Sequence, residues 1–174
     1  MRVAETLDPD QHIYDAANRM IAAARAGDAD AISTIAETPN PKVGTKREWR
    51  THLILALASL AGDHLRARVP VGVSAAQVEQ VLLVPGDGWQ ARTEFAEAGQ
   101  EITPGQADEL TPVLARARQV TALAIATCLP VSPERAASVA LVTSLLELAD
   151  SDPDGITAAT AMLVRIAADV VPAP

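Results

Sequence analysis

"DSDPDGITAATAMLVRIAADVV", residues 150–171, is the stretch whose reading decides the fold. From Pro153 onward, Ile156, Met162, Leu163, Val164, Ile166, Val170 and Val171 fall on nearly every face of a 3.6-residue period. After the first turn only Arg165 and Asp169 carry charge, and their four-residue spacing lets them pair on one face. Asp152 offers a side-chain oxygen to cap the orphan N–H groups of a helix start, and Pro153 stands where a missing N–H costs nothing. The stretch therefore predicts a helix over 153–171 that is buried on most sides, within its own domain or against a partner. The preceding segment 133–149, through Val139, Val142, Leu145, Leu146 and Leu148, has the same need. Together they predict a C-terminal helical hairpin at the centre of the core, inside an apolar region of about 104–171, and a homodimer interface.

The first six residues of the stretch allow another reading. Asp150, Asp152 and Asp154 followed by Gly155 resemble the opening of a helix-loop-helix calcium loop, with oxygen ligands at positions one, three and five and a turn glycine at six. Such a loop ends in a bidentate glutamate at position twelve, and here that residue is Ala161. Position nine is Ala158, and no acid occurs between Asp154 and Asp169. The coordination sphere does not close locally, so the expectation is a capped helix start and no metal.

Working outward, the same capping device marks other helix starts: Asp8-Pro9-Asp10, Thr103-Pro104 and Ser132-Pro133-Glu134. Thr45 with Glu48, and Ser74 with Gln77, have the spacing of capping boxes. These starts predict helices at about 9–26, 29–37, 46–67, 75–84, 104–129, 133–149 and 153–171. Ala26-Gly27-Asp28 is read as a tight corner, with Gly27 in the left-handed C-cap position and Asp28 near the next N-cap. No second copy of this corner recurs at a fixed period, which disfavours a solenoid. One segment departs from the helical pattern: Val81 to Val84, then Pro85-Gly-Asp-Gly88, then Trp89, Ala91, Thr93 and Phe95 at period two, which allows a short β-hairpin near 81–95 beside the alternative of a turn and short helix. The expected architecture is an all-α compact bundle of about seven helices in a single domain, 1–174.

Composition supports that class. Aromatic residues make up 2% of the 174 residues while 49% are hydrophobic, so the core must be built from Ala, Leu, Val and Ile, whose small side chains let helices approach closely. A formal charge of −8 argues against non-specific binding to nucleic acid or anionic membranes by the surface as a whole. The lone cysteine, Cys128, sits in an apolar run and has no partner for an internal disulfide, as expected of a core side chain in a reducing cytoplasm. The acids after Met1 do not suit a signal peptide, and no uncharged run reaches the ~18 residues of a membrane span. A cytoplasmic protein without membrane contact is expected.

The segment "PKVGTKREWRTH" holds both lysines, Lys42 and Lys46, with Arg47, Arg50 and His52. Cations at a helix N-terminus oppose the macrodipole unless something negative offsets them. Lys42, Lys46, Arg47, Trp49 and Arg50 are therefore the candidate partner- or anion-binding residues, with Trp49 as a stacking face. The alternative is that acidic residues elsewhere supply the counter-charge and Trp49 packs in the core. A DNA-binding version joins this segment to a winged helix at 75–95, resembling winged helix-turn-helix proteins in architecture alone. Its recognition helix, "SAAQVEQVLLV", lacks Arg and Lys for bases or phosphates, so nucleic acid is disfavoured.

Enzyme readings find little support. His12, His52 and His64 fit no metal-ligand spacing, and Asp63-His64 reverses the His-Asp order of all-helical metal phosphohydrolases. Glu94 and Glu97 have the ExxE spacing seen in helical nucleotide pyrophosphohydrolases, but Asp108-Glu109 does not supply the second pair those proteins need for magnesium. No catalytic residue and no cofactor are assigned. The expectation is a non-catalytic protein–protein interaction module, homodimeric through its C-terminal helices, that offers the basic segment to an acidic protein partner. A DNA-binding regulator is the alternative, with a small metal-dependent enzyme or small-ligand binder as a further one.

Overall fold

A computed structural model describes residues 9–65, 74–82, 104–128, 143–148 and 150–173. Among them every regular element is a helix: α1 (Pro9–Arg25), α2 (Ala29–Glu37), α3 (Lys46–Leu65), α4 (Ala75–Leu82), α5 (Pro104–Cys128) and α6 (Pro153–Val170). A further helical segment over 143–148 leads into α6. The protein is all-α, as the capping pattern predicts.

The helix starts form by the devices written into the sequence. Asp152 accepts from the Gly155 N–H at 2.9 Å and Pro153 opens α6, so residues 152–155 form a helix start. Gly27 takes a φ of 70° at the α1–α2 corner, and Asp28 caps α2 by accepting from Ala31 N–H at 2.9 Å. Both capping boxes close. The Glu48 carboxylate accepts from Thr45 N–H at 2.7 Å while Glu48 N–H donates to the Thr45 hydroxyl at 3.3 Å. Gln77 and Ser74 make the same exchange at 2.9 and 3.3 Å.

α3 and α6 pack against each other, and each also packs on α1 and α5; α4 lies on α5, and α2 lies against α1 and α3. α6 is central, as its all-round apolar pattern requires, with Ile156, Ala159, Leu163, Val164 and Ala167 buried. It shares the centre with α3, which the C-terminal expectation did not include. Buried positions 49, 51, 53, 54, 56, 57, 58, 61, 62 and 65 cover most of that helix, leaving a stripe along 48, 52, 55, 59 and 63. Fully buried Ala16, Ala17, Ala58, Ala61, Ala124 and Ala159 let the helices approach, and Met20, Leu53, Ile54, Leu57, Ile125 and Leu163 fill the space between them. The buried threonines 51, 121 and 160 are satisfied within their own helices, each hydroxyl donating to the carbonyl four residues earlier. Arg25, at the end of α1, donates to the Ala168 and Val171 carbonyls and so ties α1 to the last turn of α6.

Two expectations meet the structure only in part. Val81 and Leu82, where the hairpin near 81–95 would begin, belong to α4; residues 83–100 lie outside the described residues. Of the helix expected at 133–149, only 143–148 is described. There Leu145 is buried and Leu148 partly so. Among the described residues no helix is long and apolar enough to cross a membrane.

Candidate functional site

The basic segment forms a corner between α2 and α3. After α2 ends, the Asn40 side chain accepts from Lys42 N–H at 3.0 Å and the Asn40 carbonyl accepts from Val43 N–H at 2.9 Å, which turns the chain back. Gly44, with a φ of 136°, completes the reversal, and a Cβ there would collide with the Glu48 carboxylate that caps α3. The chain then enters α3 through the Thr45–Glu48 capping box.

The five predicted residues sit together on this corner, in three different situations. Lys46 and Arg50, one turn apart on α3, both reach back to the Glu37 carboxylate at the end of α2. Arg47 turns the other way, pairing with Asp150 at 2.9 Å and donating to the Leu146 carbonyl at 3.2 Å. Lys42 is exposed, and its ammonium makes no ion pair with a described residue. Trp49 is the correction. At 2% exposure its ring is packed in the core and its Nε1 donates to the Ile35 carbonyl at 2.9 Å, so it offers no face for stacking with a base. The helical period alone does not separate them: Lys46, Arg47 and Arg50 lie on faces that Leu53, Ile54 and Leu57 bury further along α3, and they stay on the outside because they belong to its first turns, beyond the packed length of the helix.

The electrostatics of the corner follow from these pairs. The hydrogen bond from Lys46 holds the Glu37 carboxyl below its ordinary range, helped by Arg50 and opposed by partial burial. The backbone N–H and hydroxyl of Thr45 hold Glu48 low in the same way. Glu37, Glu48 and Asp150 thus supply the negative charge that the cations at the α3 N-terminus call for. Any anion that binds Lys46, Arg47 or Arg50 must share it with Glu37 or Asp150.

The other side of the same corner faces α1 across an open cleft of about 680 Å³. His12, Asp15, Asn18 and Arg19 line it from α1, the 38–41 connection forms the opposite wall, and Trp49 contributes at its base. One ring nitrogen of His12, Nε2, is sealed from solvent and has no hydrogen-bond partner among the described residues. Sequence reasoning missed this site. Its only signal is the spacing of residues 12, 15 and 19, which places them on one side of α1 and looks like any solvated helix face.

The remaining candidates stay apart. His52 is half-buried on α3, His64 is exposed at its end, and among the described residues no group of three or more His, Cys, Asp or Glu side chains converges on a point. Glu94 and Glu97, and the wing of the DNA-binding alternative, lie outside the described residues. Comparison with protein-family models, with curated proteins and with solved structures gives no match for this chain.

Proposed function

We propose that the protein is a non-catalytic interaction module that presents the α2–α3 corner, residues 37–50, to a partner protein. The observation that carries this is preorganisation. The Asn40 turn, the capping box, the Glu37 pairs with Lys46 and Arg50, and the Arg47 pair with Asp150 hold the corner in one shape, while Lys42, Lys46 and Arg47 stay exposed. Side chains ordered before binding lose less entropy on binding, so such a surface favours association. The partner's face would be polar and acidic. It would meet Lys42 directly and share Lys46 and Arg47 with their present carboxylates. Tyr14, 38% exposed, is the one exposed large hydrophobic among the described residues, so an apolar docking patch does not compete with this surface there.

Self-association through the C-terminal helices was expected because 153–171 is apolar on most faces. In the fold α1, α3 and α5 cover α6. That apolarity therefore needs no second subunit, and recognition of another protein is the better-supported form of the proposal.

The test is affinity capture from lysate of the cells that naturally make the chain, using the wild type beside a Lys42→Glu/Arg47→Glu variant shown by circular dichroism to be folded. A partner retained by the wild type and lost by the variant supports the proposal. Equal retention by both places recognition elsewhere.

A further inference from the structure

We infer that the cleft between α1 and the 38–41 connection is a binding site for a small zwitterion of the α-amino acid class. The inference stands on a different observation from the interaction surface and does not depend on it. Three features of the cleft carry it. First, its volume of about 680 Å³ lies within the ~300–1,000 Å³ typical of small-molecule sites.

Second, its α1 wall displays one carboxylate, Asp15, and one guanidinium, Arg19, a single helical turn apart. Their spacing would permit an ion pair with each other, yet neither forms one with any described residue. A simple anion bound at Arg19 would be repelled by Asp15, and a simple cation at Asp15 by Arg19. A ligand bearing both an ammonium and a carboxylate satisfies the two at once, the carboxylate taking the guanidinium fork and the ammonium donating to Asp15.

Third, further polar groups are available beside that pair. Asn18 adds an amide to the same wall, and His12, which also borders the cleft, holds an Nε2 atom without a hydrogen-bond partner among the described residues. Pro39 and Pro41 supply apolar surface for the ligand's side chain.

The experiment is a ¹H–¹⁵N NMR titration of the full chain with the common α-amino acids one at a time, up to about 10 mM, well above the ~1 mM dissociation constant of a weak site. The expected result is saturable shifts, for at least one amino acid, of the Trp49 indole N–H and of the backbone amides of His12, Asp15, Asn18 and Arg19. The N-acetyl and carboxamide derivatives of that amino acid, which each keep only one charge, should bind about tenfold or more weakly, as should the Arg19→Gln and Asp15→Asn variants. Glu79→Gln, on α4, should bind as the wild type does. Absence of saturable shifts with every amino acid, shifts confined to residues outside the cleft, or equal binding by the N-acetyl derivative would each overturn the inference.

Discussion

Replacing Trp49 with phenylalanine should loosen α2 before it loosens anything else. α2 has nine residues and buries none of them completely, so it is shorter than the ~12–15 residues an isolated helix needs and depends on what holds it. Its anchors are the partial packing of Ile32, Ile35 and Ala36, the Glu37 pairs, and the Trp49 indole bond to the Ile35 carbonyl. Phenylalanine keeps most of the ring but removes the donor. An unpaired buried carbonyl costs about 1–3 kcal/mol, with the low end apt here because Ile35 is only partly buried. The smaller ring also gives up roughly 40 Å² of buried apolar surface, about 1 kcal/mol at ~25 cal/mol per Å². The sum is about 2 kcal/mol, which for a chain of this length lowers Tm by roughly 4–8 °C. Hydrogen exchange gives the more specific reading: α2 amides should exchange roughly 30-fold faster, the equivalent of that free energy, and should stay the fastest of the helical amides, with those of α3 and α6 still exchanging only through global unfolding. A loss of stability below about 0.5 kcal/mol with unchanged α2 exchange would refute the assignment of Trp49 as the pin of the corner.

Other consequences are separately measurable. Asp152→Ala removes the N-cap of α6 and should cost about 1 kcal/mol in urea unfolding; an unchanged midpoint would mean that the cap contributes nothing. The Glu37 carboxyl is held below its ordinary value in the folded state, so its contribution to stability is present above about pH 4.3 and is lost as pH falls through the lowered folded value. Glu37→Gln should therefore be less stable than the wild type at pH 7, with a difference that shrinks below about pH 4; a difference independent of pH would contradict the ion pairs. Burial, with Asp63 as a lesser cause, pushes the Cys128 thiol up to about 11 from 9.0, leaving about 100-fold less thiolate at neutral pH. Iodoacetamide should label it slowly in the native protein and readily in denaturant, and rapid native labelling would show that the thiol is not in the core.

The elements legible in the sequence were those governed by local chemistry. Asp28, Thr45 with Glu48, Ser74 with Gln77, and Asp152 each act on groups three residues away, and their helices begin where those residues place them. The centre of the core was only half legible. Residues 153–171 announce burial because few charges interrupt their Ile, Leu, Val and Met, whereas α3 buries Leu53, Ile54, Leu57 and Leu65 between charged ends, with Lys46, Arg47, Glu48 and Arg50 at one and Asp63 and His64 at the other, so it reads as an ordinary surface helix. The cations at 42–50 were visible as an unusual charge arrangement at a helix start. Their partners were not, because Asp150 meets Arg47 only after the C-terminal segment has packed beside α3. The cleft was least legible of all, since it exists only once α1 lies across the 38–41 connection and neither wall alone looks unlike an ordinary polar surface.

The most direct test of the corner as a recognition surface is a hydrogen-exchange footprint of the intact chain, alone and bound to the protein it captures. Protection concentrated on the amides of residues 37–50, and absent with the Lys42→Glu/Arg47→Glu variant, is the result this account predicts. Protection concentrated instead on α5 or α6, and retained by that variant, would contradict it.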